Sequence, residues 1–136
     1  MQGERPERIY VASRASVPER PAMWRRYREQ WRPEREIVSS WIDEAGAGET
    51  ASFEDLWDRI VSEVLSSDRV IVYAEPDDFP LKGAYVEVGV GLGAGLPVSV
   101  VLPGVELDGS MRPIGSWVRH PSVTVHENVE EAIRER

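Results

Sequence analysis

The stretch that decides the fold is residues 68–103, DRVIVYAEPDDFPLKGAYVEVGVGLGAGLPVSVVLP. Its first part, 68–75, is a nearly continuous apolar run, which is typical of a parallel strand covered on both faces. Residues 83–95 predict a helix that stops at Gly95, and 97–103 predict the next strand. A strand, a helix and a second strand in this order predict a right-handed crossover between parallel strands.

The same alternation of strands and helices continues on both sides of this stretch. Further strands are predicted at 8–13, 36–42 and 122–125, and further helices at 21–30, at 52–66 and from Asn128 onward, with a glycine-rich loop at 44–51. The sequence therefore predicts one domain over 1–136. Its expected fold is three-layer α/β, flavodoxin-like or Rossmann-like, with a parallel sheet of about five strands.

The composition narrows the chemistry that the chain can perform. The sequence has 136 residues, a net charge of −8 and no cysteine, which excludes disulfide bonds, thiolate nucleophiles and zinc–thiolate sites. The first residues contain no apolar segment like that of a secretory signal, and we expect a soluble, cytoplasmic protein. The arginines of residues 1–35 alternate with glutamates and the remainder is acidic, so we expect no binding of a nucleic-acid polymer.

Residues 83–103 have roughly the length of a membrane-spanning helix. They contain Glu87 and Pro97 and lack flanking basic anchors. The helix stop before Pro97 favours a helix followed by a strand, and we expect no association with a membrane.

In a parallel α/β sheet, ligands bind beyond the carboxyl ends of the strands. The segments expected at that edge are 10–16, 41–43, 75–82 and the start of the helix that carries Glu87. The carboxylates expected near this cleft are Asp55, Asp58, Asp77, Asp78 and Glu87. No Asp-x-Asp pattern and no nearby histidine accompanies them, so we predict neither a metal site nor a cofactor.

The residues GVGLGA, 89–94, formally match the dinucleotide-binding fingerprint. That motif must lie in the turn between a strand and a helix, whereas here it falls inside the predicted helix. The glycines at 89, 91, 93 and 95 are instead predicted to let the helix pack closely on the sheet. Such packing would hold Glu87 in the first helical turn, where the helix dipole favours an ionised carboxylate and hence a nucleophile.

A longer pattern joins several segments of the sequence. They are IYVASR, a strand ending in tryptophan, SSDRVIVYAE, the spacing Pro80-x-x-Gly83-x-x-x-Glu87-Val88-Gly89, and GLGAGLPVSVV. Over residues 9 to about 103 this pattern resembles the nucleoside 2-deoxyribosyltransferase family and the related deoxynucleoside monophosphate N-glycosidases. The resemblance implies that Glu87 attacks the anomeric carbon and that Tyr10 lies near the sugar. It also implies that Asp58, on the helix before the third strand, orients the sugar or assists the base.

The chemistry of this family suits the residues that the chain contains. Cleavage of an N-glycosidic bond passes through an oxocarbenium-like state, which a carboxylate stabilises or traps covalently without a thiol or a metal. The candidate contacts to substrate are Ser13, Arg14, Ser16, Trp41, Asp78, Lys82 and Gly83. The phosphate-binding relatives place a serine where this chain has Leu81, so two interpretations of Lys82 stay open. It either helps to bind a 5′-phosphate or is a solvated loop lysine.

We predict cleavage or transfer of the N-glycosidic bond of a (deoxy)nucleoside or its 5′-monophosphate, with a small molecule as the binding partner. Two alternatives stay open. One is a non-catalytic nucleotide-binding or sensor module, and the other is an NAD-type or nucleotide-sugar glycohydrolase.

We also expect a homodimer or a larger homo-oligomer whose partner chain closes the cleft. Trp24, Tyr27 and Trp31 are predicted to give an apolar pairing surface. The irregular segment 104–120, with Ser110, Arg112 and Ser116, is the predicted contribution to the neighbouring pocket.

Overall fold

Five parallel strands form one sheet in the order β2-β1-β3-β4-β5. The computed structural model describes residues 5–44 and 52–134. The strands are β1 (Glu7–Ala12), β2 (Arg35–Ile37), β3 (Arg69–Tyr73), β4 (Val98–Val101) and β5 (Val123–His126). Ile9 of β1 pairs with Arg69 of β3, and Val70 pairs with Val98 of β4. The predicted α/β fold with a five-stranded parallel sheet is confirmed.

Helices connect the strands and cover both faces of the sheet. They are α1 (Glu19–Trp31), α2 (Trp41–Glu44), α3 (Phe53–Leu65), α4 (Gly83–Gly93) and α5 (Val129–Arg134), with 3₁₀ turns at Pro76–Asp78 and Ser116–Arg119. At the start of α3, the side chain of Ser52 accepts a hydrogen bond from a backbone N–H of the first turn, at 3.2 Å. Asn128 caps α5 in the same way at 2.8 Å. Both helices begin where the sequence predicts them to begin.

The side chains of β3 alternate between two helical layers. Val70 faces the layer of α3 and α4, where it approaches Gly91. Tyr73 faces α1, where its ring meets Trp24 edge-on with 6.0 Å between the ring centroids. The hydroxyl of Tyr27 in α1 donates a hydrogen bond to α5, so these two helices share one layer. Every residue of β3 is buried, as its continuous apolar sequence predicts.

The end of α4 leads the chain directly into β4. The N–H of Leu96 donates to the carbonyl of Gly91 at 2.9 Å, and the N–H of Gly95 donates to that of Leu92 at 3.0 Å. Gly95 adopts φ +80°, which completes a Schellman motif. Residues 83–103 thus form a helix and a strand, as predicted. Within 5–44 and 52–134, no helix has both the length and the apolar character needed to cross a bilayer.

Close packing of α4 on the sheet depends on Gly91. A Cβ atom at Gly91 would lie 2.9 Å from Cγ2 of Val70, whereas one at Gly89 or Gly93 would meet no atom within 4 Å. The predicted packing role is therefore wrong for Gly89 and Gly93, because the rotation of α4 turns them away from the sheet.

The second strand is shorter than predicted, since β2 ends at Ile37 rather than near residue 42. The hydroxyl oxygen of Ser39 accepts the N–H of Val11 at 2.7 Å and so replaces the next ladder bond. The carbonyl of Ser40 then accepts the N–H of Asp43 at 3.1 Å, which starts α2. The predicted loop at 44–51 lies outside the described residues apart from its first position.

The aromatic stripe of α1 belongs to the core. Trp24 is fully buried and Trp31 is 6% exposed. The prediction that these two rings form an exposed pairing surface is wrong, because α1 turns its aromatic side chains toward the sheet and toward each other.

Candidate active site

A cleft of about 420 Å³ opens at the carboxyl edge of the sheet, where ligands bind in folds of this class. Four parts of the chain line it: the loop after β1, the start of α2, one face of α3 and the segment that leads into α4. The predicted site residues on its lining are Ser13, Arg14, Ser16, Trp41, Asp78, Lys82, Gly83 and Glu87. The segments expected at this edge from the strand topology, 10–16, 41–43 and 75–82, therefore supply much of the lining.

Glu87 is a buried carboxyl group on the lining of this cleft, and it is 9% exposed. Burial raises the pKa of Glu87 from its ordinary value of 4.5 to about 8; the neighbouring hydroxyl of Tyr10 opposes this rise, and the charge of Glu63 adds to it. A pKa of about 8 keeps Glu87 mainly protonated at neutral pH.

The prediction that the helix dipole keeps Glu87 ionised is therefore wrong. The unpaired backbone N–H groups of a helix belong to its first turn. Because α4 begins at Gly83, Glu87 lies beyond that turn. The dipole effect falls off within that turn, and burial dominates.

Tyr10 lies on β1, an interior strand of the sheet, next to Glu87 of α4, and it is fully buried. Its hydroxyl makes no well-formed hydrogen bond within the described residues, yet it is close enough to Glu87 to lower the pKa of that carboxyl group. Burial raises the pKa of Tyr10, and the carboxylates of Glu87 and Glu63 raise it further. Tyr10 therefore remains a neutral hydrogen-bond donor, which suits it to orient the Glu87 carboxylate.

Glu63 is a third polar group near this pair, and the sequence reasoning missed it. It lies on α3, where one oxygen of its side chain accepts the backbone N–H of Ser40 at 3.2 Å. The signal was helical spacing, because Trp57 and Ile60 line the cleft and Glu63 follows Ile60 by three residues on the same face.

Asp58 does not lie in the cleft. Its side chain is exposed, and the residues of α3 that line the cleft are Leu56, Trp57 and Ile60. Asp58 follows Trp57 by one residue, and a step of one residue turns about 100° around a helix. The structure therefore places the predicted sugar-orienting aspartate on another face of α3.

The loop after β1 brings Ser13, Arg14 and Ser16 to the mouth of the cleft. Nε of Arg14 donates to the hydroxyl of Ser16 at 3.3 Å, and Nη1 donates to the carbonyl of Asp78 at 3.2 Å. The hydroxyl of Ser13 donates to the carbonyl of Tyr73 at 3.4 Å. These contacts hold an exposed guanidinium group at the entrance.

Asp78 borders the cleft, but its carboxylate is engaged in a buried ion pair. Its oxygens accept Nη1 and Nη2 of Arg20 at 2.7 and 3.2 Å, and one of them also accepts the N–H of Glu75 at 2.8 Å. Arg20 in turn lies over the ring of Tyr73, 5.0 Å from its centroid. Asp78 therefore fixes the loop before α4 to α1. Its carboxylate oxygens are engaged in this ion pair, whereas the prediction made them a contact to substrate.

Lys82 and Gly83 form the start of α4 at the cleft. Lys82 is exposed, and within the described residues its ammonium group makes no hydrogen bond or ion pair. No side chain caps the first N–H groups of α4. The cleft therefore combines a cationic side chain with a helix N-terminus, which together suit an anionic group.

Two tryptophans border the cleft in different ways. Trp41 is buried, and its indole N–H donates to the carbonyl of Val11 at 2.8 Å, so this side chain belongs to the wall. Trp57, which the sequence reasoning did not select, is partly exposed. In the part of the chain that the structure describes, no three acidic or histidine side chains converge to hold a metal ion.

Comparison with known proteins shows similarity at the level of the fold. No protein-family model and no curated protein sequence matches the chain. A 2-deoxyribosyltransferase from Leishmania mexicana matches with a TM-score of 0.65 and 17% identity, over 95% of both chains. A 2-deoxyribosyltransferase from Bacillus psychrosaccharolyticus matches with a TM-score of 0.66 and 16% identity, over 95% of this chain and 92% of the other.

A CMP N-glycosidase from Clostridium botulinum also matches, with a TM-score of 0.56 and 11% identity, over 94% of this chain and 96% of the other. These likenesses show a nucleoside 2-deoxyribosyltransferase-like fold, as the sequence pattern predicted.

Proposed function

We propose that this chain cleaves or transfers the N-glycosidic bond of a (deoxy)nucleoside or a nucleoside 5′-monophosphate, with Glu87 as the nucleophile. The observation that carries the proposal is the pair of Glu87 and Tyr10: Glu87 is a buried carboxyl group on the lining of the cleft, and the neutral phenol of Tyr10 lies behind it in the core. The likeness to transferases and a glycosidase that act on such bonds supports it. The predicted cytoplasmic location is part of the same proposal.

The reaction needs the substrate, Glu87 and an acceptor, which is water or a second base. The ionised oxygen of Glu87 forms a bond to the anomeric carbon while the bond from that carbon to the base nitrogen breaks. The electron pair of the broken bond passes to the base, which takes up a proton from solvent and leaves; the acceptor returns a proton to solvent when it attacks. Water or a second base then attacks the same carbon and releases Glu87. Because attack requires the carboxylate, the raised pKa implies a rate that increases up to about pH 8.

The 5′ end of the substrate is proposed to lie at the start of α4. Lys82 and Arg14 supply positive charge there, and the uncapped N–H groups of α4 supply hydrogen-bond donors. This arrangement favours a monophosphate over an uncharged nucleoside.

A second copy of the chain is proposed to complete the enzyme. Two exposed apolar side chains, Phe53 and Val86, lie on the two helices that border the cleft. Ser110, Arg112 and Ser116 are exposed and do not line the cleft of their own chain. They are therefore proposed, as before, to contribute to the pocket of the partner.

Replacement of Glu87 tests the proposal. Glu87→Gln keeps the shape of the buried group but removes the nucleophilic oxygen, so release of free base from a responsive substrate should fall by about a thousandfold or more. Chromatography of free base over a panel of deoxynucleosides, ribonucleosides and their monophosphates measures this. Asp58→Asn, on the exposed face of α3, is the matched acidic control and should keep nearly full activity.

Two results would contradict the proposal. The first is release of base by Glu87→Gln at the wild-type rate. The second is binding of a nucleotide by the wild-type chain without any release across the panel, which would favour a sensor module.

A further inference from the structure

The face of α3 toward the cleft is an apolar wall made of Leu56, Trp57 and Ile60. Trp57 supplies its aromatic surface, since part of this side chain is exposed. Trp41 also borders the cleft, but it is buried and its indole N–H is bound to the carbonyl of Val11. The ring of Trp57 is therefore the one placed to meet a flat ligand.

The glycine at the start of α4 brings this ring close to the proposed nucleophile. A Cβ atom at Gly83 would lie 3.3 Å from Cη2 of Trp57 and 3.9 Å from Oε2 of Glu87. The ring tip and the carboxylate thus flank the same glycine, and their separation cannot exceed the sum of these two distances. In the proposed reaction the base is bonded directly to the carbon that Glu87 attacks. A base held in this way therefore lies within reach of the Trp57 ring.

We propose that Trp57 is the surface on which the base of the substrate stacks, and that the absence of a side chain at Gly83 keeps this surface close to Glu87. This inference rests on the proposed function and assigns the base to a residue. Stacking on an indole ring is available to any aromatic base. The neighbouring Leu56 and Ile60 offer no hydrogen-bonding groups, so this wall binds purines and pyrimidines without reading their edges.

Binding without turnover tests the inference. In full-length Glu87→Gln protein, free adenine and deoxyadenosine should quench tryptophan fluorescence, whereas ribose 5-phosphate should not. Trp57→Phe in that background should remove most of the quenching but keep the dissociation constant within about threefold, because phenylalanine still stacks. Trp57→Leu should weaken adenine binding by about tenfold or more. Trp117→Phe, a tryptophan outside the cleft, should retain the quenching.

A double-mutant cycle tests the role of the glycine. Gly83→Ala adds a methyl group 3.3 Å from the Trp57 ring and should weaken adenine binding several-fold. In the Trp57→Leu background the same change should have less than a twofold effect. Additive effects of the two substitutions would show that Gly83 does not act through Trp57. The proposed role of Gly83 would then be overturned.

The outcomes separate this inference from the proposed function. If base binding depends on Trp57 but the wild-type chain releases no base, the result supports the stacking surface and contradicts the proposed enzymatic activity. Turnover by the wild-type enzyme together with an unchanged KM and unchanged quenching in Trp57→Phe and Trp57→Leu overturns the stacking surface and leaves the activity in place.

Discussion

At the scale of single residues, the protonation of Glu87 reflects opposing effects of its surroundings. Burial and the charge of Glu63 favour the neutral carboxyl group, whereas the hydroxyl of Tyr10 favours the carboxylate. The net effect is a raised pKa, so the folded protein retains a proton that an exposed glutamate would lose. This has a measurable effect on stability.

Glu87→Gln should make the stability of the protein less dependent on pH. The unfolded chain loses the Glu87 proton near pH 4.5, whereas the folded chain keeps it up to about pH 8. Between these values the folded state binds more protons, so stability falls as pH rises and the loss is complete above pH 8. Thermal melting of the variant should match wild type near pH 4.5 and exceed it by a few degrees at pH 8.5.

A difference in melting temperature that stays constant from pH 4.5 to 8.5 would show that the pKa of Glu87 is not raised. Glu54→Gln, in the exposed first turn of α3, is the control for loss of an acidic side chain away from the cleft.

Lys82→Met should raise the KM for a nucleoside monophosphate by about tenfold and change kcat less than twofold. A charge remote from the reacting carbon contributes equally to the ground state and the transition state. Lys82→Arg keeps the charge and should stay close to wild type, and the KM for an uncharged nucleoside should not change. Equal activity on both forms of substrate, with no effect of the substitution, would exclude phosphate binding at this position.

The sequence identified the edge residues of the cleft better than the residues of α3. Glu87 and Lys82 follow a strand that is unmistakable in sequence, so the topology placed them. Trp57 and Asp58 are neighbours in sequence, and the rotation of α3 about its axis decides which of them faces the cleft. That rotation is set by packing of the helix against the sheet. The sequence pattern did not define the rotation accurately enough to tell one residue from the next.

At the scale of elements, α4 carries Glu87 and packs on the sheet at a point where it has no side chain. Its contact with β3 is made where Gly91 faces Val70. The predicted set of four glycines was too large because a glycine in a helix has no side chain to reveal which face it occupies.

Gly91→Ala and Gly89→Ala should change stability in opposite directions. The new methyl group at 91 would lie 2.9 Å from Cγ2 of Val70, a stiff side chain, so we expect a loss of about 1–3 kcal/mol. The methyl group at 89 meets nothing within 4 Å, and alanine favours a helix, so we expect a gain of up to about 1 kcal/mol. Urea unfolding measures both. Equal effects of the two changes would contradict the close contact.

Strand two shows another limit of sequence patterns. The apolar residues up to position 42 suggested one strand, but the hydroxyl of Ser39 satisfies a backbone N–H of β1 and ends the ladder. The hydroxyl of Ser39 takes the place of a backbone acceptor only because β1 lies beside it, which is a tertiary contact. The sequence pattern therefore could not predict that Trp41 lies in a helix and not in a strand.

At the scale of the whole molecule, exposed apolar side chains stand on the two helices that border the cleft. The aromatic side chains of α1 are occupied in the core, whereas Phe53 is 77% exposed and Val86 is 51% exposed. Exposed apolar side chains on both helices beside a cleft favour pairing with a second copy.

Light scattering at micromolar concentration should therefore report about twice the mass of the chain. The double variant Phe53→Glu, Val86→Glu should shift the protein toward monomer and lower turnover together with association. Leu65→Glu alters an exposed leucine at the far end of α3 and should leave the dimer intact. A fully active monomer would show that one chain forms a complete site.

Lys82 is the only lysine in the sequence, and it lies exposed at the mouth of the cleft. Reagents that acylate amines therefore have one side-chain target, and a lysine-specific protease has one bond to cut, immediately before α4. Because the sequence also lacks cysteine, a single introduced thiol would give a second unique attachment point. Two different dyes can then be placed on this chain, one at Lys82 beside the mouth of the cleft and one at the introduced thiol.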